Sequence, residues 1–233
     1  KKLKKENPDL MITKYDVPMT IYPSRADASG RLSIPDCFGM FMDIAAPHAA
    51  LLGCGTEDLA KEDLFWLTVK SKVKIIRRPY MMEKVVVSTW PRMPEEMRCI
   101  RDYSITQGDK TLVSGKTLWA VMNMKNGKLS RVDKLYPEGF EAFPEIAIEE
   151  PFLKFDRDFD TETFATYQVR STDIDFGGHM NNIAYIRALS GAFTVEEWNR
   201  MNLKEIEIHY KAPCFEGSIL NLQRKTADGY TQI

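Results

Sequence analysis

The feature that most constrains this 233-residue chain is an internal repeat. One copy contains RADASGRLSIPDCFGMFMDIAAPHAALLG, residues 25–53, and the other RSTDIDFGGHMNNIAYIRALSGAF, residues 170–193. A short β-like run precedes each, MTIYPS at 19–24 and ATYQV at 165–169. Each then shows Asp-x-x-Gly (Asp27 to Gly30, Asp175 to Gly178) and passes into an apolar, helix-like segment. Each continues into a Pro-containing strand: KVKIIRRPYMMEKVVVSTW at 72–90 matches IEIHYKAPCFEGSILNLQR at 206–224, with Pro79 and Pro213 at equivalent points. Two copies of one unit, each a long helix with an antiparallel sheet to wrap it, make an α+β tandem.

The boundaries follow from where the periodicity stops. Residues 1–133 form the first unit and 161–233 the second. The segment KLYPEGFEAFPEIAIEEPFLKFDRDFD, within 134–160, has scattered prolines and acids and reads as the linker. The second unit has fewer strands than the first, so its carboxyl end is expected to be truncated.

Local signals support the elements. Ser33 with Asp36 forms a capping pair and Pro35 suits the first helical turn. Gly53 and Gly55 end that helix, and Pro47 is expected to kink it near Ala45–Ala46. In SKVKIIRR, Lys72 and Lys74 alternate with Val73 and Ile75, a strand pattern. The next two strands, MRCIRDYSIT and TLVSGKTLWAVMNM, join at Gly108-Asp109.

Charge excludes several classes of function. Lys and Arg number 32 against 33 Asp and Glu, net −1, and no binding motif appears, so no nucleic-acid partner is expected. No apolar run approaches the roughly 20 residues a spanning helix needs. The basic start KKLKKENPDL lacks a following apolar region, so no secretory signal is read there. The cysteines, Cys37, Cys54, Cys99 and Cys214, are widely spaced without metal-ligand pattern. Free thiols in a cytoplasm, with no metal or other cofactor, are the expectation.

Several segments together resemble the bacterial and plant acyl-acyl-carrier-protein thioesterases and, through the second half, the wider hotdog-fold thioesterases. They are AAPHAALLG (45–53), Trp66 in DLFWLTVK, Arg101 in RDYSI, TLWAVMNMKNGKLSRV (117–132), and DIDFGGHMNN (173–182) with Tyr185. The resemblance runs from about Met19 to the end. It implies a tandem hotdog fold and hydrolysis of fatty acyl-acyl carrier protein to free fatty acid, with the carrier protein and an acyl chain as partners and a homodimer possible. An acyl-coenzyme A thioesterase and a non-catalytic acyl binder of the same fold are the alternatives.

A thioester carbonyl gains negative charge at oxygen when its carbon is attacked. The site therefore needs donors at that oxygen and a base or nucleophile at the carbon. A helix amino terminus offers unpaired N–H groups, and glycines allow close backbone approach. Gly177 and Gly178 are thus the expected oxyanion residues, with Asn181 and Asn182 as helix caps or supports. The resemblance assigns the base or nucleophile to Asp175 and a share in base catalysis or water orientation to His179. Without it, an Asx-Gly stretch before a helix reads equally as a capped turn. The first copy has Arg31 where the second has His179, so the chemistry belongs to the second.

Two positions depart from the family: Gly177, where many members have Asn, and Pro213, three residues after Tyr210, where they have an acid. Cys214 matches a cysteine once proposed as the family's nucleophile, though a lone Cys beside Pro reads as structural. His209 is expected on the exposed, passive face of its strand. The first half is the expected host of the acyl chain, with Phe38, Met42 and Trp66 as tunnel walls and Met40, Ile44 and Leu51 as further candidates. Acidic carrier proteins call for a basic surface, and Arg77 and Arg78, with Lys70, Lys72 and Lys74, are the expected docking residues.

Overall fold

The computed structural model describes residues 13–155, 161–227 and 229–233. The basic amino-terminal run and residues 156–160 of the expected linker lie outside them. In the first half, strand β1 (Tyr15–Thr20) leads to helix α1 (Ile34–Leu51) and the short α2 (Thr56–Ala60). Strands β2 (Leu64–Ile75), β3 (Lys84–Pro91), β4 (Cys99–Gln107), β5 (Lys110–Asn123) and β6 (Leu129–Ser130) follow. The second half has β7 (Thr163–Gln168), α3 (Asn182–Gly191), α4 (Val195–Arg200), β8 (Glu205–His209), β9 (Ile219–Gln223), β10 (Lys225–Ala227) and β11 (Tyr230–Gln232). Among the described residues no helix is long and apolar enough to cross a membrane.

Helix α1 starts where its sequence predicts: the Ser33 hydroxyl accepts the Asp36 N–H at 3.1 Å, and Pro35 sits in the first turn. The helix runs on through Pro47 to Leu51. One face is buried against the sheet, with Phe38, Met40, Phe41 and Ile44 in the main core. Phe41 stacks on Tyr103 with ring centroids 4.8 Å apart, and its ring occupies the space a Cβ at Gly115 would need. Glycine in the middle of a strand is otherwise unfavourable, so close helix–sheet approach explains Gly115.

The sheet is antiparallel in the order β1-β3-β4-β5-β2-β8, with β6 paired to β5. The simple expectation of a sheet for each copy is modified here. Strand β8 of the second half extends the first half's sheet along β2, whereas β7 pairs with β9 and β10 with β11 as two-stranded ribbons. Cross-strand charge sets this seam. Lys72 lies opposite Glu207 and Lys74 opposite Glu205, and Lys72 Nζ is 2.8 Å from Glu207 Oε2 with both side chains buried. The alternating lysines of β2 therefore join the two halves.

From Glu145 to Phe155 the segment read as a linker is a strap across the sheet face opposite α1, whereas Tyr136 and Phe140 pack on the α1 side with Leu52, Cys54 and Cys99. Trp90 Nε1 donates to Glu145 O at 2.7 Å and Arg92 Nη2 to Ile148 O at 2.9 Å. Lys116 donates to the carbonyl of Glu150, Leu153 N donates to Glu207 Oε1 at 2.7 Å, and the Phe155 ring lies 4.2 Å from that of His209. Its prolines and acids lack periodicity because its bonds go to side chains of the sheet, not to a neighbouring strand. His209 is not exposed as expected: its side chain is 6% accessible and Nε2 is 2.7 Å from Glu207 Oε1.

Candidate active site

The loops before α1 and α3 repeat one another bond for bond. In the second copy Asp175 N donates to His179 O (2.9 Å), Gly178 N to Asp175 O (3.0 Å) and Asn181 N to Asp173 O (2.8 Å). In the first, Asp27 N donates to Arg31 O (2.8 Å), Gly30 N to Asp27 O (2.9 Å) and Ser33 N to Arg25 O (2.8 Å). Ser29 N donates to Asp27 Oδ1 at 2.9 Å, and Gly177 N to Asp175 Oδ1 at 2.8 Å. Gly30 and Gly178 both have φ above +70° or equal to it (+70° and +77°), the left-handed conformation that favours glycine. Leu32 N donates to Pro79 O and Met180 N to Cys214 O, each at 2.8 Å. The strand equivalence is therefore shifted by one from the aligned prolines: Pro79 corresponds to Cys214, and Arg78 to Pro213.

This geometry corrects the expected donors. The Gly177 and Gly178 amides are engaged inside the turn and do not face a ligand as an oxyanion hole requires. Among the described residues the Asn182 N–H, in the first turn of α3, has no protein acceptor, as expected of a helix start. Asn181 caps the helix by accepting Ile183 N at 2.8 Å, and Asn182 Nδ2 donates to Thr68 Oγ1 at 2.9 Å, tying α3 to β2.

Asp175, Phe176, Asn181, Asn182 and Ile183 line a cavity of about 310 Å³ that continues into the first half. There its wall is built by Gly39, Met42, Asp43, Ala45, Ala46 and Ala49 of α1, Phe65, Trp66 and Thr68 of β2, and Cys99, Arg101, Trp119 and Tyr136, with Thr56 from α2. Asp175 is half-buried at this cavity with Oδ1 held by Gly177. Phe176, 83% exposed, meets Phe65 edge-on at 6.4 Å beside it.

Other expected site residues fall elsewhere. His179 lies outside the cavity wall, its ring 5.2 Å from that of Phe215. Cys214 is also off the wall; its N–H donates to the Tyr185 hydroxyl at 3.0 Å. Burial, and then Cys214, push the Tyr185 phenol up. Met42 and Trp66 do line the cavity, and Trp66 Nε1 is fixed on Cys54 O at 2.9 Å. Phe38, Met40 and Ile44 instead face the main core, and Leu51 is 57% exposed, because α1 turns Gly39, Met42, Asp43, Ala45, Ala46 and Ala49 to the cavity. Arg77 and Arg78 are not free docking cations. Arg77 holds Glu83 through both terminal nitrogens (2.8 and 2.9 Å), and Arg78 holds Asp27 and Leu32 O. Sequence reasoning gave Arg101, Phe65 and Thr68 no role. For Arg101 a signal existed: with Cys99, Tyr103 and Ile105 it forms the period-two face of β4 turned toward α1.

A long helix on an antiparallel sheet, with its entry loop and helix start repeated later in the chain beside a shared cavity, defines the tandem hotdog class. Solved structures share this fold. An acyl-ACP thioesterase from Bacteroides thetaiotaomicron VPI-5482 superposes with TM-score 0.85 at 22% identity, over 93% of this chain and 88% of that one. The 12:0-ACP thioesterase from Umbellularia californica superposes with TM-score 0.80 at 18% identity, over 93% and 89%. The family models for the acyl-ACP thioesterase N-terminal and C-terminal domains match residues 10–140 and 157–232, and the chain belongs to the acyl-ACP thioesterase family. Curated relatives include a chloroplastic palmitoyl-acyl carrier protein thioesterase of Arabidopsis thaliana, 24% identical over 91% of this chain and 54% of the relative. The chloroplastic acyl-[acyl-carrier-protein] hydrolase FATB3 of Cuphea viscosissima is 24% identical over 81% and 49%. The chain spans about half the length of the curated relatives it matches.

Proposed function

We propose that this chain hydrolyses the thioester of fatty acyl-acyl carrier protein, giving the free fatty acid and the carrier-protein thiol. The observation that carries the reading is the half-buried Asp175 carboxylate in the wall of the cavity that also holds the first turn of α3. In this mechanism the acyl chain enters past Met42 and Trp66, and each CH₂ removed from water contributes about 0.8 kcal/mol. The Asn182 N–H and the positive end of α3 face the carbonyl oxygen. Asp175 takes a proton from water as its oxygen bonds to the carbonyl carbon; collapse of the tetrahedral intermediate then breaks the C–S bond, and the proton passes to the leaving thiolate. His179 and the Gly177-Gly178 turn support this by holding the Asp175 backbone in place. The four free cysteines suit a reducing compartment, and we assign the protein to the cytoplasm.

Thiol release from acyl-carrier-protein and acyl-coenzyme A substrates tests this reading and separates the carriers. Asp175→Asn is expected to lower kcat by about 10²–10⁴-fold. Wild-type rates in that variant would remove the assignment, and substrate binding without turnover in the wild type would make the protein an acyl binder.

A further inference from the structure

Asn182 is pinned by its side chain and by its carbonyl. Nδ2 donates to Thr68 Oγ1 of β2 at 2.9 Å, and the carbonyl accepts the Tyr210 hydroxyl at 3.4 Å. Tyr210 follows β8, and its own N–H donates to Val69 O at 3.0 Å. Burial pushes the Tyr210 phenol up, so the hydroxyl keeps its proton and remains a donor. Thr68 and Asn182 both line the acyl cavity.

A β-bulge aims Thr68 at this place. The pairing of β2 with β5 slips between Thr68 and Lys70, and Val69 is the extra residue. Side chains alternate between the two faces of a strand, and one extra residue reverses the alternation. Beyond the bulge Val73 and Ile75 face the main core, while Lys72 and Lys74 reach Pro151 O and Glu150 on the strap side. Before it the even-numbered Trp66 and Thr68 face the cavity. Without Val69 the Thr68 hydroxyl would turn from Asn182 to the strap side.

The first copy shows that the fold does not need these polar groups. Ile75 N donates to Lys204 O at 2.8 Å as Tyr210 N does to Val69 O, so Ile75 corresponds to Tyr210 and Lys204 to Val69. The loop bonds match Ser33 with Asn181, and hence Ile34 with Asn182. Leu203 then matches Thr68. Ile34 and Ile75 are buried in the main core, and Leu203 packs against it. Three apolar side chains at one helix start are therefore an amide, a phenol and a hydroxyl at the other, the one that borders the cavity. Polar groups are costlier to bury than apolar ones, so their presence at positions that accept Ile and Leu points to a use.

We propose that Thr68 and Tyr210 are positioning residues for the hydrolysis: together they fix Asn182 so that its N–H points at the thioester oxygen; this rests on the hydrolase reading above. Their bonds go to Asn182, whose N–H meets the oxygen. The first half thus contributes Thr68 to the orientation of a donor in the second, across the seam of β2 and β8.

Thr68→Val and Tyr210→Phe each remove one hydroxyl with little change of shape. With decanoyl-acyl carrier protein as substrate, each is expected to lower kcat about tenfold or more while KM and the thermal midpoint stay near the wild type. A donor displaced by about 1 Å loses its hold on the transition state more than on the substrate. Thr68→Ser keeps the hydroxyl and restores most of kcat. Wild-type kcat in both variants, or a fall in Thr68→Val that Thr68→Ser shares, overturns the proposal. The donor is read separately, without hydrolysis, from the NMR shift of the Asn182 amide on adding the ketone analogue of decanoyl-pantetheine, with CH₂ in place of the sulfur. A downfield move in the wild type that shrinks in Thr68→Val and returns in Thr68→Ser supports the clamp even where Asp175→Asn defeats the hydrolase reading. No move in the wild type, or an equal move in Thr68→Val, overturns the clamp while leaving that reading to the Asp175 variant.

Discussion

Arg78 holds the carboxylate of Asp27 and donates to the Leu32 carbonyl at 2.8 Å, closing the loop of the first copy. Burial alone would raise the Asp27 pKa, but the bonds from Arg78 and Ser29 outweigh it and hold the carboxyl below its usual range. The position matching Arg78 in the second copy is Pro213, and among the described residues no cation pairs with Asp175. One duplicated loop has thus become a structural ion pair in one half and an open carboxylate at a cavity in the other. The side chain of a single strand position separates the two outcomes.

Pro213→Arg should therefore close the second loop as Arg78 closes the first. A guanidinium on Asp175 withdraws the base, and kcat is expected to fall by about 10²-fold or more. The thermal midpoint should hold or rise, because a carboxylate gains a partner. Wild-type turnover in Pro213→Arg would show that the two loops are not equivalent at this position.

Phe38 and Met42 are a turn apart on α1 and have different jobs. Phe38→Ala is expected to cost about 3–5 kcal/mol of stability, since it empties part of a close-packed core. Met42→Ala enlarges the cavity and should change the acyl-length profile far more than the urea midpoint. A large stability loss in Met42→Ala with an unchanged profile would reverse this assignment.

Arg77→Glu removes a bidentate bond to Glu83 at a partly exposed site. Its cost is expected at up to about 1 kcal/mol, as for other surface pairs. KM for carrier-protein and coenzyme A substrates should move together, since Arg77 is already engaged. A rise confined to the carrier-protein substrate would restore the docking role.

The duplication and the capping of α1 by Ser33 are legible in the sequence because each rests on local spacing. The exclusion of Phe38 from the cavity is not, since Phe38 and Met42 are both apolar and only the packing of α1 on β4 and β5 decides which faces which. The same holds for Lys72 and Lys74. Their alternation reads as a solvated basic face until β8 is seen to bring Glu205 and Glu207 opposite them. Gly177 and Gly178 show the converse limit: their flexibility is readable, but the direction of their N–H groups depends on how Asp175 closes the turn. Arg101 is marked by its place on the inward face of β4, yet its bonds to His48 and Thr89 are visible only once its neighbours are assembled.

Thiol reactivity should divide the four cysteines. Cys37, Cys54 and Cys99 are buried, and burial pushes the Cys37 thiol up to about 12 and the Cys54 thiol up to about 11. Cys214 is partly exposed. Since the thiolate is the reactive form, a disulfide reagent at neutral pH should modify Cys214 rapidly and the others only on unfolding. Cys214→Ser should abolish the fast phase; its persistence would mean that a core cysteine is reached.

The strap gives the fold a pH dependence of definite sign. His209 is enclosed by Phe152 and Phe155 and bonded to Glu207, which also meets Lys72. Burial lowers the His209 pKa; the Glu207 bond opposes this without reversing it, and Lys70 and Lys211 add to the lowering. The unfolded chain then takes up the proton more readily than the folded one as pH falls through about 6.5, the ordinary histidine value. Stability is therefore present in full above that value, declines as pH drops toward the lower folded value, and levels off below it. Urea midpoints measured from pH 8 to pH 5 should show this step in the wild type and lose it in His209→Gln. An identical profile in both proteins would show that His209 takes up its proton equally well in the folded and unfolded states, and that the strap over β8 does not sense pH through this ring.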